Sequence, residues 1–473
     1  MRHYDCAVIG TGPAGQKAAI QAAKLGKKVT IIEKNPTVGG ATINTGTIPS
    51  KALREAVLHL TGANKRGLFG EAYCVKRDIT VADLIQVSRQ VIEHELQLVR
   101  AHFDRNGIDL IWGTAEFETP NRLHVVRPND SEHLTADKFV IATGTRPARP
   151  ASVPFNEKTI FCSDGLLKLE RLPKSLIVVG GGVIGTEYAC MMATLGVKVT
   201  LVEGRHEVLG FLDSEVAEAF HYHMRSMGMT LRLGEKVSKI EELPHGVGGN
   251  GENGSAANVQ ATLESGKTLR AQALLYSIGR QGTTAALKLE NAGLKADDRE
   301  RLKVDANYRT DVPHIYAVGD VVGFPALAST AMEQGRLAIC HAYGVETKSM
   351  PELFPLGIYA VPEISMVGRT EAQLTEAGVP YEAGIAQYKE LARGQLLGDE
   401  LGMLKLLIHQ EDHRILGVHA IGTGATELIH IGQAVMAFGG TVEFFINNVF
   451  NFPTLAEAYK VAALNGLNKL RHI

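Results

Sequence analysis

At 473 residues the chain is long enough for about three domains, and its 45% hydrophobic and 21% charged residues are ordinary for a soluble globular protein and speak against a disordered one. A formal net charge of −2 leaves no excess of either sign to draw in nucleic acid or an anionic membrane. Five dispersed cysteines (Cys6, Cys74, Cys162, Cys190, Cys340), without C-x-x-C or metal-ligand spacing, argue against a disulfide scaffold and for reduced thiols in a cytoplasmic protein.

The chain opens on "YDCAVIGTGPAGQKAAIQAAKLGKKVTIIEK", which reads as strand, Gly-rich turn, helix and strand. This run begins within four residues of Met1, leaving no space for a signal peptide, and no later apolar run approaches the ~18–20 residues of a membrane span. Gly10, Gly12 and Gly15 have G-x-G-x-x-G spacing: one glycine for the tight turn, one for backbone approach to a pyrophosphate, one for helix–strand packing. The helix that follows offers its unpaired N–H groups and positive dipole to phosphates. Glu33, roughly 20 residues on, stands where a carboxylate takes both hydroxyls of an adenosine ribose.

The segment "DKFVIATGTRP" (Asp137–Pro147) is a strand followed by a turn at Ala142, Thr143 and Gly144. Then the first pattern recurs. "KSLIVVGGGVIGTEYACMMATLGVKVTLVEGR" repeats strand, turn (Gly180, Gly182, Gly185), helix and strand, ending at Glu203. Two such units predict two bound dinucleotides, and two dinucleotides in one chain predict electron transfer between them. A dehydrogenase with one nicotinamide cofactor needs a single unit.

Further along, "HGVGGNGENGSAANV" (His245–Val259) predicts a surface loop between two strands of a small sheet. "ALLYSIGRQG" (Ala273–Gly282) is a strand with a turn at Gly279, and "TDVPHIYAVGDVVG" (Thr310–Gly323) is a strand running into Gly319-Asp320. His419 and His430, eleven residues apart, suit domain structure better than a metal ligand set. Trp112 and the run "LARGQ" provide no aromatic platform for nucleobases.

These segments, in this order, resemble the two-dinucleotide-binding flavoprotein reductases, the family that includes glutathione reductase and dihydrolipoamide dehydrogenase. The likeness covers essentially the whole chain. Within it, "NTGTIPSKALREAV", "FPALASTAMEQGR", "ELARGQ", "ELIHIGQAVM" and "FNFPTLAEAYKVAALNGLNK" resemble the soluble pyridine nucleotide transhydrogenase subgroup. The resemblance implies an α/β fold with two Rossmann-like domains, for FAD and NAD(P), and a C-terminal α+β dimerisation domain. It places the FAD-binding domain at 1–150 and 280–345, the NAD(P)-binding domain at 151–279 and the dimerisation domain, opening with "GIYAVPEISMVG", at 346–473. It also implies a homodimer, with larger homo-oligomers left open.

Carried onto this sequence, the resemblance puts FAD on Gly10, Gly12, Gly15 and Glu33, on the linking turns at Ala142, Thr143, Gly144 and Gly279, and on Gly319 and Asp320, and counts Thr42, Thr47, Lys51 and Glu187 among the cofactor-binding residues. Asp320 would meet the ribityl chain. It puts the nicotinamide cofactor on Gly180, Gly182, Gly185, Glu203 and Arg205. Lys51 would pair with Glu187 beside the flavin and act electrostatically in catalysis. Disulfide reductases of the family carry two cysteines in the segment "GGATINTGTIPSK"; here Thr42 and Thr47 occupy those positions. A threonine hydroxyl is no redox couple and is a poor nucleophile without an adjacent base. The same enzymes have a His before Pro-Thr-x-x-Glu, where this chain has Phe452, and Glu457 keeps only a structural or helix-capping role.

With the dithiol machinery gone, the resemblance implies a Si-specific NAD(P) transhydrogenase, working ping-pong through flavin N5 on NAD(H) and NADP(H) as substrates. Glu203 suits ribose hydroxyls and repels a 2′-phosphate, whereas Arg205 offers a bidentate phosphate partner and His206 a further partial charge. The alternative is an NAD(P)H-dependent quinone reductase or diaphorase, which would use the same residues. A third reading, of a different class, is a redox-sensing binding protein that switches an interaction on reduction.

Overall fold

The computed structural model describes residues 1–70, 72–244, 257–348 and 350–470, so residues 245–256 of the Gly/Asn-rich stretch lie outside the described residues. Two compact units are present: Met1–Leu53, Ile85–Ala148 and Gly279–Pro351 form the first, and Arg54–Leu84, Arg149–Ile278 and Glu352–Ile473 the second.

The first unit is built on a seven-stranded sheet in the order Asp109–Trp112, Val29–Glu33, Arg2–Ile9, Ser131–Ile141, Arg122–Val126, Thr114–Thr119, with Ile315–Ala317 added parallel to Ser131–Ile141. The opening strand is buried from Cys6 to Ile9, and this continuous apolar run is what a parallel strand covered on both faces requires. Ile9 is level with Ile32 and with Ile141, and Ile141 is level with Ala317. Four parallel strands therefore end together, with Gly10, Glu33, Ala142 and Gly319 gathered at their carboxyl ends. Ligands of open α/β sheets bind at that edge.

One face of this sheet is covered by the helix Pro13–Lys24, which starts on a proline whose missing N–H costs nothing at the first helical position. Its buried alanines, Ala14, Ala18, Ala19 and Ala22, let the helix Ala328–Ala342 approach backbone to backbone. At Gly335 the approach is so close that a Cβ would stand 2.1 Å from the Ala14 carbonyl oxygen. The two segments that connect this unit onward, Thr145–Pro147 and Arg280–Gly282, pair antiparallel with each other.

The second unit holds a five-stranded parallel sheet in the order Thr230–Leu233, Lys198–Glu203, Ser175–Val179, Ala273–Tyr276, Ile160–Cys162. A three-stranded antiparallel sheet, Val237–Glu242, Val259–Leu263 and Thr268–Ala271, is inserted in the chain between Thr230–Leu233 and Ala273–Tyr276, so the segment 243–258 joins two paired strands. The C-terminal part is a five-stranded antiparallel sheet in the order Leu356–Ile358, Ile364–Gly368, Ile415–Ile421, Met403–His409, Tyr381–Gln387. The helices Ala425–Ala437 and Glu457–Leu470 pack on it over a core that includes Leu404, Leu406, Val418, Phe445 and Tyr459. Among the described residues no helix is long and apolar enough to cross a membrane.

Candidate functional site

At the first Gly-rich turn the glycines are needed for space as well as for dihedral freedom. Gly10 has φ 104°, and a Cβ there would lie 2.5 Å from the Ala142 carbonyl oxygen; at Gly15 it would lie 1.9 Å from the Gly10 carbonyl oxygen. Gly12, the N-cap of the helix, has nothing within 4 Å of its Cβ position and leaves the helix N-terminus open. The turn is thus a backbone cradle shaped to let a phosphate group reach N–H donors.

Glu33 ends its strand 4% exposed. Its Oε2 accepts from the Thr11 N–H at 3.2 Å and the Thr11 hydroxyl at 2.5 Å, and its Oε1 from the Asn35 backbone N–H at 2.8 Å and side-chain amide at 2.9 Å. Thr11 also accepts the Gly39 N–H at 2.9 Å, tying the turn to the "GGATIN" segment. Opposite, Thr143 Oγ1 is buried without a hydrogen-bond partner, the kind of orphan that a bound group satisfies. Thr283 steadies the same turn by donating to the Thr143 and Gly144 carbonyls at 3.1 and 3.0 Å. Asp320 accepts from Thr145 at 3.1 Å, and the Gly319 N–H donates to buried Gln334 at 2.7 Å. Gly279 lies in the pairing connection, where its carbonyl accepts the Ala148 N–H at 3.2 Å.

The second turn repeats the device. Gly180 has φ 107°, Gly182 is the helix N-cap, and a Cβ at Gly185 would stand 2.0 Å from the Gly180 carbonyl oxygen. Ser277 braces the turn by donating to the Val179 and Gly180 carbonyls at 2.9 and 3.1 Å. Glu203 accepts the Gly181 N–H at 2.6 Å and the Arg205 N–H at 2.9 Å, and the Arg205 guanidinium folds over it at 3.1 and 3.3 Å. Burial works against ionisation of Glu203, but these donors outweigh it and hold its pKa below the usual carboxylate range. The Arg205 side chain is 58% exposed, so it is free to take another anion. His206 lies beside Gly234, and the aliphatic stem of Lys236 beside Gly204.

Glu187, in the second unit, is buried and accepts the Tyr359 N–H at 2.8 Å; Lys51, in the first, is half-buried on the helix Thr47–Thr61. Thr42 is half-buried in the short helix Gly40–Asn44, and Thr47 is exposed at the start of its helix. All five cysteines are free, and burial pushes the thiols of Cys6 and Cys190 up to about 12, far from a reactive thiolate. Phe452 is 72% exposed, and Glu457 opens the last helix with its Oε2 buried and unpaired. His419 is buried and His430 exposed.

Sequence reasoning missed Thr11, Asn35, Gln334, Thr283 and Ser277, which hold the acids and turns in place. Thr11 alone carried a signal: it is a polar residue wedged between two obligatory glycines.

Residues 4–335 match the family model described as pyridine nucleotide-disulphide oxidoreductase, and residues 354–463 match the dimerisation domain of the same family. A protein of Mycobacterium tuberculosis named soluble pyridine nucleotide transhydrogenase is 54% identical over 100% of this chain and 98% of its own length. One of the same name from Vibrio vulnificus is 45% identical over 99% of both chains. Among solved structures, the Cu(II) complex of the HOCl-induced flavoprotein disulfide reductase RclA from Escherichia coli aligns with a TM-score of 0.86 at 28% identity, covering 98% of this chain and 99% of that one. The chain belongs to the pyridine nucleotide-disulphide oxidoreductase family, within the group of relatives named soluble pyridine nucleotide transhydrogenases.

Proposed function

We propose that the protein is a Si-specific NAD(P) transhydrogenase that moves a hydride between NADPH/NADP and NAD/NADH by a ping-pong mechanism, with no redox-active disulfide. When bound, FAD would supply hydride chemistry at N5, so the chain's own residues need only hold it and receive the nucleotides in turn. The observation that carries this reading is the pairing of exposed Arg205 with Glu203. One nucleotide site then offers a carboxylate to ribose hydroxyls and a guanidinium to a 2′-phosphate, as a site that receives both nucleotides in turn must. The names of the relatives at 54% and 45% identity support the same activity.

FAD fits the first turn. Gly10, Gly12 and Gly15 take its pyrophosphate, Glu33 its adenosine ribose, the turn Ala142–Thr143–Gly144 offers the unpaired Thr143 hydroxyl, and Asp320 receives the ribityl chain. By the family resemblance Lys51 favours added electron density on the flavin, and Glu187 is assigned to the same electrostatic work. With threonine at 42 and 47 no dithiol at those positions takes the electrons, and with phenylalanine at 452 no imidazole stands there to handle thiol protons. The protein works as a cytoplasmic homodimer through its C-terminal domain, where Phe438, Phe444, Val449 and Phe452 are exposed.

The test is anaerobic transfer from NADPH to thio-NAD by the purified holoenzyme, beside NADH with a benzoquinone. Fast nucleotide exchange with parallel double-reciprocal lines is expected, and a stereospecifically deuterated NADH reports the face used. Brisk quinone reduction with negligible nucleotide exchange would replace this reading with a diaphorase.

A further inference from the structure

Lys405 lies mid-strand in "MLKLLIH", among apolar neighbours, and its side chain is 0% exposed. A buried ammonium persists only when paired and fully hydrogen-bonded. Three carboxylates meet it: Asp213 Oδ1 at 2.8 Å, Glu215 Oε2 at 2.5 Å and Glu371 Oε2 at 2.5 Å. These oxygens lie within 4.8 Å of one another, and the lysine Nζ stands among them where a metal ion would otherwise be sought. Its cross-strand neighbour His419 donates from Nε2 to the Arg369 carbonyl at 3.0 Å, and its Nδ1 is buried without a partner. Burial keeps His419 neutral by lowering its pKa, against the pull of Asp213. Burial also opposes the charge on Lys405, but the hydrogen bonds to its carboxylates prevail and raise its pKa. Lys405 is therefore the cation that this cluster turns on.

Asp213 links the cluster to the second nucleotide turn. It occupies the N-cap position of the helix Ser214–Ser226 yet makes no capping bond; its Oδ1 is committed to Lys405 and its Oδ2 accepts the Glu371 N–H at 3.2 Å. Upstream, residues 204–212 leave the strand Lys198–Glu203 and fold back. Leu209 sits at φ 55°, a conformation a bulky residue adopts only when its surroundings enforce it. Its N–H donates to the Gly181 carbonyl at 3.2 Å, and the Leu212 N–H to the Leu209 carbonyl at 2.9 Å. The loop is thus fastened at one end to the Gly-rich turn and at the other to Lys405.

We propose that Lys405 is a positioning residue for the dinucleotide: acting through Asp213, it sets the loop 204–212 against Gly181 and so orients Glu203 and Arg205 for the adenosine ribose. The inference rests on the reading of this turn as the NAD(P) site. It is tested by calorimetric titration of the FAD-loaded enzyme with ADP-ribose and with its 2′-phosphorylated analogue, which needs no turnover. Asp213→Asn keeps the volume and removes the charge. The double variant Lys405→Met/Asp213→Asn removes the buried cation with its buried anion and provides a second folded test. Glu215→Gln, at the 46% exposed rim, is the control.

Both cluster variants should bind both ligands about five- to tenfold more weakly, with KM for NADH and NADPH raised alike and kcat at saturation unchanged. Glu215→Gln should stay within about twofold. A merely structural role would lower Tm and leave affinity and KM alone, and unchanged affinity in the folded variants would overturn the proposal. Failure of the wild-type enzyme to bind ADP-ribose would refute the reading of the turn itself, and this inference with it.

Discussion

Replacing Arg205 with leucine tests the dual-nucleotide site most directly. The change removes the guanidinium that covers Glu203 but keeps the residue 205 backbone N–H, which reaches the carboxylate at 2.9 Å. A hydrogen bond to a charged group is worth about 1.5–3 kcal/mol net. Arg205, however, is 58% exposed and must leave Glu203 to engage a 2′-phosphate, so it exchanges one anion for another in solvent. Screening and the lost pairing bring the gain to the bottom of that range, about 1.4 kcal/mol or tenfold. NADH has no 2′-phosphate, and Glu203 stays held by the Gly181 N–H at 2.6 Å. The expected result of Arg205→Leu is thus about a tenfold loss of kcat/KM for NADPH and less than about threefold for NADH. Stopped-flow bleaching of the flavin by each nucleotide reads both numbers without an acceptor. Equal losses for the two nucleotides, or no loss for NADPH, would refute the assignment of Arg205 to the 2′-phosphate.

Gly15→Ala puts a Cβ 1.9 Å from the Gly10 carbonyl oxygen and should yield protein purified largely free of flavin, read from the ratio of visible to ultraviolet absorbance. Gly335→Ala, with its Cβ 2.1 Å from the Ala14 carbonyl oxygen, forces two buried helices apart beside the first Gly-rich turn and should cost about 1–3 kcal/mol or more of stability, seen as a lowered Tm together with weaker flavin retention. Thr11→Val removes the hydroxyl that holds both Glu33 and the Gly39 N–H, so flavin affinity should fall by at least about tenfold in a dialysis titration. The folded pKa of Glu203 is depressed, so its contribution to stability is present above the ordinary value of about 4.3 and is lost only as pH falls through the lower folded value. Affinity for NADH, which carries no titrating 2′-phosphate, should therefore stay flat from pH 8 down to about 5; a carboxylate inflection within that range would show that Glu203 is not held ionised.

What the sequence disclosed and what it hid divide along chain separation. The Gly-rich turns were legible because strand, turn, helix and acid fall within about 30 residues, and each glycine answers a local steric demand. The level ending of Ile9, Ile141 and Ala317 was not, because strand register is set by pairing between segments more than a hundred residues apart. Gly335 reads in sequence as an ordinary helical glycine, and its purpose appears only when Ala14 arrives against it. Lys405 misleads in the opposite sense. In "MLKLLIH" it reads as the solvent-facing position of an alternating strand, yet its partner Asp213 lies 192 residues upstream and its side chain is fully enclosed.

The two nucleotide turns share one design and differ at two positions, and those differences suit different tenancies. Each acid ends a parallel strand, accepts an N–H from between the first two glycines and accepts the backbone N–H two residues on. At the first turn the remaining donors are the Thr11 hydroxyl and the Asn35 amide, both neutral. They fix the carboxylate without bringing a positive charge to it. At the second turn Gly181 has no side chain to lock the acid, and the residue matching Asn35 is Arg205, an exposed cation that pairs with Glu203. A carboxylate held rigidly by neutral donors suits a cofactor that stays. One covered by an exposed guanidinium suits the alternating substrates proposed above, and both differences, Gly181 for Thr11 and Arg205 for Asn35, serve that proposal.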